Sequence, residues 1–229
     1  MHKCFSIKWI DLNSFLSYCF KPSIESLSTS RIARSTPCYA FSKLDGSNLR
    51  VEWSKKQGFS KFGTRQELFD ATHSIFGEAV TMWTDDVGPQ VLKHLKKLDT
   101  SMLNTAKKIT IFGEFYGAHS FAGSHVAEQH VIKVFDIEVA GQGFIEPKVF
   151  AGLSKSSDIY VPFLGIHSFN TPLIESVYES TFDCQCDQET PEGIILKHAV
   201  RGEILRSKLK TKAWLERLKS TKDNWQDLM

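Results

Sequence analysis

Residues 38–54 read CYAFSKLDGSNLRVEWS and contain the turn around which we expect the fold to be organised. Cys38–Lys43 and Asn48–Ser54 have the composition of β-strands, and the LDGS between them is a turn sequence. Gly46 allows the backbone to approach a ligand closely. We therefore expect Lys43 to stand at a strand end with its amine at the edge of a sheet, facing a cleft.

The rest of the chain alternates strands and helices without the regular βαβ order of a doubly wound fold, which predicts an α+β fold with antiparallel sheets. Residues 148–183 give no clear assignment. Thr211 is placed to cap the last helix. The predicted strands are Ile109–Tyr116, Val131–Val139, Ile194–Lys197 and Ile204–Leu209, and the predicted helices cover 5–20, 65–76, 87–98 and 212–220.

Composition bounds the class of protein. The 229 residues carry a net charge of only +2, so any basic surface must be local. No stretch is long and apolar enough to span a membrane. The five cysteines include no C-x-x-C pair, which argues against structural zinc and for reduced thiols in a cytoplasmic protein. The Ser-rich N-terminus faintly resembles a transit peptide, so an organellar location stays open, as does a phage or viral origin. We expect an N-terminal segment over 1–35 and one domain over 36–229.

Lysine is a covalent nucleophile when its amine is neutral, and neighbouring cations favour that form. The KLK stretch supplies such cations, because strand alternation puts Lys208 and Lys210 on one face. Two adjacent ammonium groups suit an anion such as a nucleotide α-phosphate between them. The alternative is a solvated edge strand, on which lysine discourages aggregation.

Two glutamates stand next to glycines at strand ends. Glu114 lies in FGEFYG and Glu192 in PEGIILK, which also contains Lys197. Carboxylates beside a triphosphate would hold a divalent ion or a ribose hydroxyl, since they repel phosphate. Phe135 in VFDIE is a candidate for stacking on a base, and a core phenylalanine is the alternative.

Together, in this order, the motifs resemble those of the lysine-AMP nucleotidyltransferases, the superfamily of polynucleotide ligases and mRNA capping enzymes. Its K-x-[DH]-G motif corresponds to Lys43, Asp45 and Gly46. The resemblance implies that Lys43 attacks ATP and becomes adenylylated, with magnesium or manganese as cofactor. It also implies that Glu114 contacts ribose and Phe135 stacks on adenine. Further positions that match the family are Arg65, with Arg50 as a weaker candidate, and Glu192 and Lys197. The resemblance makes Glu192 and Glu114 the candidates for binding the metal. It also implies that Lys208 and Lys210 hold the α-phosphate.

Asn48 at the sixth motif position makes KLDGSN similar to the RNA-ligase-2-like branch. About 19 residues follow Lys210, which leaves no room for the OB domain of DNA ligases and capping enzymes. The resemblance therefore implies an RNA ligase that joins 5′-phosphate and 3′-hydroxyl ends, with a nicked duplex as one form of substrate. A partner protein or a homodimer would help to position the RNA.

Three other functions stay open at this point. A small DNA ligase would act on nicked DNA. A nucleotide- or RNA-binding module would keep the pocket without catalysis. A capping-type enzyme would use GTP, which the missing OB domain argues against.

Overall fold

The computed structural model describes residues 35–99, 101–118 and 128–221. These form two compact units: the first comprises the described residues up to Lys43 together with those from Phe163 onward, and the second is Leu44–Pro162. The chain thus passes from one unit to the other directly after Lys43. The helix expected over 5–20, and all but residue 35 of the expected N-terminal segment, lie outside the described residues.

The elements follow one another in a mixed order of strands and helices. In chain order they are β1 (Pro37–Lys43), β2 (Ser47–Ser54), β3 (Gly58–Gly63), β4 (Leu68–Phe69), α1 (Gly77–Met82), a π-helical segment (Trp83–Val87), α2 (Gly88–Leu98), α3 (Met102–Thr105), β5 (Ile109–Tyr116), β6 (Val131–Val139), β7 (Gly143–Phe144), α4 (Pro147–Ser156), β8 (Phe163–Ser168), α5 (Thr171–Tyr178), β9 (Gly193–Val200), β10 (Glu203–Lys210) and α6 (Lys212–Thr221).

The first unit is built on a four-stranded antiparallel sheet in the order β10-β9-β1-β8. One face of the sheet packs on α5, which begins where the Asn170 side chain accepts a hydrogen bond from the Leu173 amide at 3.0 Å. Alternate strand residues supply this core, as expected for a sheet with one buried apolar face. The core comprises Cys38, Ala40, Phe169, Leu173, Ile174, Val177, Cys184, Ile194, Leu196 and Leu209.

The second unit contains a six-stranded antiparallel sheet in the order β4-β3-β2-β5-β6-β7. Its central strands β2 and β5 pair from Ser47 opposite Phe115 to Trp53 opposite Ile109. Val51, Ile111 and Ile137 are fully buried on adjacent strands. The expected α+β class with antiparallel sheets is therefore confirmed.

Most predicted elements are confirmed. The helix predicted over residues 65–76 is wrong, because this stretch is not helical. Side chains there take up the backbone donors that a helix would use. Asp70 accepts from the Thr72 amide at 2.9 Å, and the His73 ring accepts from the Ile75 and Phe76 amides at 3.1 Å. The helix-like apolar spacing instead brings Phe69 and Phe76 into a stacked pair with ring centroids 5.0 Å apart.

The unassigned stretch 148–183 contains α4, β8 and α5. Thr211 caps α6 as predicted, because its hydroxyl accepts from the Trp214 amide at 3.2 Å. Within the described residues, Cys38, Cys184 and Cys186 are free thiols. Among those residues we find no helix with the length and apolarity that a membrane crossing requires.

Candidate active site

The sheet face opposite α5 gathers basic side chains from three adjacent strands. Lys43 of β1 lies opposite Gly193 of β9, which lies opposite Lys210 of β10. Because side chains alternate along each strand, residues two and four positions away share this face. It comprises Tyr39, Phe41 and Lys43 of β1, Ile195 and Lys197 of β9, and Arg206, Lys208 and Lys210 of β10.

Glu192 joins two of these lysines. The Lys43 amine donates to Glu192 Oε2 at 2.5 Å, and the Lys210 amine lies 3.2 Å from Oε1. The side chains of Lys43, Glu192 and Lys210 are 17%, 5% and 4% exposed, so this ion triad is largely withdrawn from water. The Glu192 carboxylate thus lies between Lys43 and Lys210. Binding of a nucleotide α-phosphate between Lys208 and Lys210 stays a prediction.

The ionisation of Glu192 depends on this triad. Burial raises the pKa of the carboxyl, but the positive charges of Lys43 and Lys210 outweigh burial, and the pKa of Glu192 falls below its ordinary value. Hydrogen bonds from both amines act in the same direction. Glu192 is therefore an anion at neutral pH, and it holds the two lysines at a fixed place.

Gly193 brings the triad together by letting two strands approach closely. A Cβ atom on Gly193 would lie 1.9 Å from the Leu209 carbonyl oxygen and 2.9 Å from the Lys210 Cα. Its φ of +144° is also a backbone conformation that L side chains rarely adopt. Glycine at this position thus places Glu192 beside the end of β10.

Thr211 and Trp214 fix the other side of the triad. The Thr211 amide donates to the Glu192 carbonyl at 3.0 Å, and its hydroxyl donates to the Pro191 carbonyl at 2.7 Å. The Lys210 amine lies 3.9 Å from the centroid of the buried Trp214 ring, a cation–π distance. The start of α6 is thereby tied to both Glu192 and Lys210.

The remaining basic residues continue the face away from the triad. Lys197 is buried, with its amine 5.0 Å from the centroid of the Phe41 ring. Lys208 is half-buried and faces the same side as Lys210. Arg206 and Phe41 are site residues that the sequence motifs do not single out. Strand alternation was the available signal, because each stands two residues before a predicted site lysine.

In the second unit, the residues after Lys43 pack against β5. A Cβ atom on Gly46 would lie 2.6 Å from the Phe115 carbonyl oxygen and 3.0 Å from the Glu114 Cγ, so only glycine fits. Asp45 is buried, and Asn48 pairs directly opposite Glu114. Asp45, Gly46, Asn48 and Glu114 therefore meet at one end of the six-stranded sheet.

Phe135 occupies a β-bulge. Phe112 pairs with Asp136 and the next residue, Gly113, pairs with Val134, so Phe135 is left out of the ladder. Its half-buried ring is stacked with Phe112, with centroids 6.4 Å apart. Bulges often redirect a side chain beside a functional site. The bulge distinguishes Phe135 from an ordinary core residue of β6.

Arg65 is exposed in the turn between β3 and β4. Gly63, at the end of β3, pairs with Arg50 near the start of β2. Arg65 therefore follows β3 at the same sheet end as Asn48. Arg50, the weaker candidate, is half-buried within β2.

The carboxylates of the two units offer a limited donor set for a divalent metal. Within the described ranges no three His, Cys, Asp or Glu side chains converge as a metal cage. Magnesium is commonly held by one or two carboxylates together with substrate phosphates and water. Glu192 in the first unit and Glu114 in the second each fit that limited role.

Comparisons with known proteins agree with the fold. Solved structures of a Naegleria gruberi RNA ligase share it: a variant with ATP and manganese (TM-score 0.55, 16% identity, covering 81% of this chain and 52% of that one), a variant with AMP and manganese (0.55, 16%, 81% and 53%) and a complex with pyrophosphate (0.56, 17%, 82% and 53%). The chain thus spans about half the length of these structures. A sequence search of curated proteins returned no match.

The sequence itself carries the stronger assignment. The sequence model of the RNA ligase family matches residues 36–215, a range that holds the ion triad of the first unit and the Gly46–Glu114 contact of the second. Because this range is most of the chain, the chain belongs to the RNA ligase family.

Proposed function

We propose that this protein is an ATP-dependent RNA ligase that works through a Lys43–AMP intermediate. The observation that carries the proposal is the pairing of Lys43 with Glu192, which in turn binds Lys210, within a chain of the RNA ligase family. The solved relatives with ATP, AMP or pyrophosphate support the choice of nucleotide.

The first step forms a bond between the Lys43 nitrogen and the α-phosphorus of ATP, and it breaks the bond to the bridging oxygen of the leaving pyrophosphate. Attack requires a lone pair on Lys43, so its proton must leave. Glu192, to which the amine donates, is the acceptor in reach. When nucleotide phosphates draw Lys210 toward them, the hold of Lys210 on Glu192 weakens and proton transfer becomes easier.

The other candidate residues bind and orient. Lys208, Lys210 and Arg206 would neutralise charge at the phosphorus, since they stand on one sheet face. We assign Glu114 to the ribose and Phe135 to the adenine, with Asp45, Asn48, Arg65 and Lys197 as further nucleotide contacts. A magnesium or manganese ion, held by Glu192 or Glu114 and phosphate oxygens, would supply further neutralisation of phosphate charge.

In the later steps AMP passes from Lys43 to a 5′-phosphate end, and a 3′-hydroxyl then attacks that end and releases AMP. RNA, either single-stranded or nicked in a duplex, is the proposed substrate. The family match supports RNA over DNA as the substrate.

The experiment that tests the proposal is labelling with α-labelled ATP. We expect label that survives denaturation and disappears in Lys43→Ala. Lys155→Ala is the control, because Lys155 lies on α4, outside the proposed site. A wild-type chain that takes up no label would contradict the proposal. A chain that seals nicked DNA but not nicked RNA would establish the DNA ligase instead.

A further inference from the structure

A groove of about 480 Å³ lies at the opposite end of the second unit's sheet from Asn48 and Glu114. It is formed by the tip of the β2–β3 hairpin and by the residues that lead into β5. We refer to it as the lysine groove. Its charged lining consists of Glu52, Lys55, Lys56, Lys61, Lys107 and Lys108.

The charge of the lysine groove is out of proportion to that of the chain. Five lysines and one glutamate give it a net charge of +4, whereas the whole chain has +2. The remainder of the protein is therefore net acidic, and this groove is a concentrated positive surface. Such a surface attracts polyanions.

Protein partners within the groove neutralise little of this charge. Glu52 lies 3.4 Å from both Lys61 and Lys108, and these lysine side chains are 57% and 48% exposed. Exposed ion pairs of this kind are weak. In the part of the chain that the structure describes, Lys56 and Lys107 form no ion pair. Their amines are thus available to a ligand.

The lining favours a nucleic-acid backbone over a protein. The two apolar residues of the lining, Trp53 and Ala106, are buried, so the groove offers no apolar anchor of the kind that protein interfaces use. It also offers no exposed aromatic ring for base stacking. Lysine amines on flexible stems suit phosphate oxygens and carry no sequence information.

The position of the groove suits a long ligand. The Trp53–Ile109 row lies five residue steps along the strands from the Asn48–Glu114 row, about 17 Å at ~3.4 Å per residue. One RNA molecule can span that length. We propose that the lysine groove is a second RNA contact site that binds the phosphate backbone independently of sequence, an inference that rests on the proposed RNA ligase function.

The test compares two double variants of equal charge. Lys56→Ala/Lys107→Ala removes two groove amines and leaves the Glu52 ion pairs intact. Lys96→Ala/Lys148→Ala is the matched control, because these lysines are exposed on α2 and α4 of the same unit. Thermal unfolding of all three proteins checks that the fold is retained.

Binding of a short 5′-phosphorylated RNA is measured by fluorescence anisotropy from about 50 to 200 mM salt. We expect the groove variant to bind RNA about ten-fold more weakly than wild type at the middle of this range. The slope of the logarithm of its binding constant against the logarithm of the salt concentration should be smaller in magnitude by about 1.4, because two single-strand phosphate contacts are lost. The control should stay within about two-fold of wild type.

Two results would overturn the proposal that the lysine groove binds RNA: equal RNA binding by the groove and control variants, or a groove that selects a glutamate-rich peptide over RNA. Labelling of Lys43 from ATP separates this inference from the proposed function. Wild type that takes no label, while RNA affinity still falls in the groove variant, supports the groove and overturns the ligase. If wild type takes up label and the groove variant binds RNA as tightly as wild type, the ligase is supported and the RNA-binding role of the groove is overturned.

Discussion

At the scale of single residues, the proposed mechanism gives Glu192 two tasks that oppose each other. Its carboxylate binds Lys43 and Lys210, and in the proposed reaction it also receives the proton of Lys43 before that nitrogen attacks phosphorus. The two neighbouring cations, which lower the pKa of Glu192, make it a weak base until a ligand engages Lys210. We infer that bound nucleotide is what activates the nucleophile.

Replacing Glu192 by Gln keeps the size of the side chain and removes the negative charge on which both tasks depend. The buried Lys210 and the half-buried Lys43 would lose their counter-ion, and removing one member of a buried ion pair costs about 3–5 kcal/mol. We expect a loss of that order in urea unfolding, together with loss of Lys43 labelling. Glu189→Gln is the control, because Glu189 is 80% exposed in its pair with Arg217. Its cost should stay within about 0.5 kcal/mol. Equal stability of the two variants would contradict the triad.

At the scale of elements, the β9–β10 hairpin determines where the triad forms. The register sets Gly193 opposite both Lys43 and Lys210, and the missing side chain lets the Leu209 carbonyl approach. The hairpin thus depends on a glycine at its open end for reasons of space as well as backbone conformation.

Gly193→Ala should therefore destabilise the protein by about 3 kcal/mol or more, since the added Cβ must push β10 away. Gly202→Ala in the turn of the same hairpin is the control. Gly202 also has a positive φ, of +81°, but an added Cβ would meet nothing within 4 Å. Its expected cost is about 1–2 kcal/mol. Denaturant midpoints measure both, and a Gly202 variant as unstable as the Gly193 variant would refute the close-approach argument.

At the scale of the whole molecule, the carboxyl groups of the described residues whose pKa is shifted all have a lowered pKa. Burial raises the pKa of Glu52 and that of Glu192, yet neighbouring lysines bring both below the ordinary value. Side-chain hydrogen bonds from Thr72 and Ser101 lower the pKa of Asp70 and that of Asp99. Each lowered pKa contributes stability above its ordinary value that is lost as pH falls through the folded-state value.

The pKa of His130 is shifted in the opposite direction, so its contribution to stability is lost at higher pH. Burial lowers its pKa, but hydrogen bonds to the Ala118 carbonyl and to Glu78 outweigh burial and raise the pKa above 6.5. That contribution is fully present below pH 6.5 and is lost as pH rises through the raised value.

We therefore expect the free energy of unfolding to fall on acidification below the ordinary glutamate pKa of 4.5. Urea unfolding of wild type and Glu192→Gln from about pH 3 to 7 measures the share of Glu192. The difference between the two proteins should shrink as pH falls, because the protonated wild-type side chain then resembles glutamine in charge. A difference that stays constant over this range would argue against a lowered pKa of Glu192.

Strand periodicity and turn residues are local properties, so the amino-acid order predicts most strands, the α+β class and the alternation that puts Lys208 and Lys210 on one face. The helix predicted over 65–76 failed because side-chain hydrogen bonds at Asp70 and His73 compete with a helical backbone. Three features emerge only in the folded chain: Glu192 lies between Lys43 and Lys210, Phe135 sits in a bulge, and lysines from two separate segments form one groove. These depend on strand register and close packing between distant residues, which no local pattern encodes.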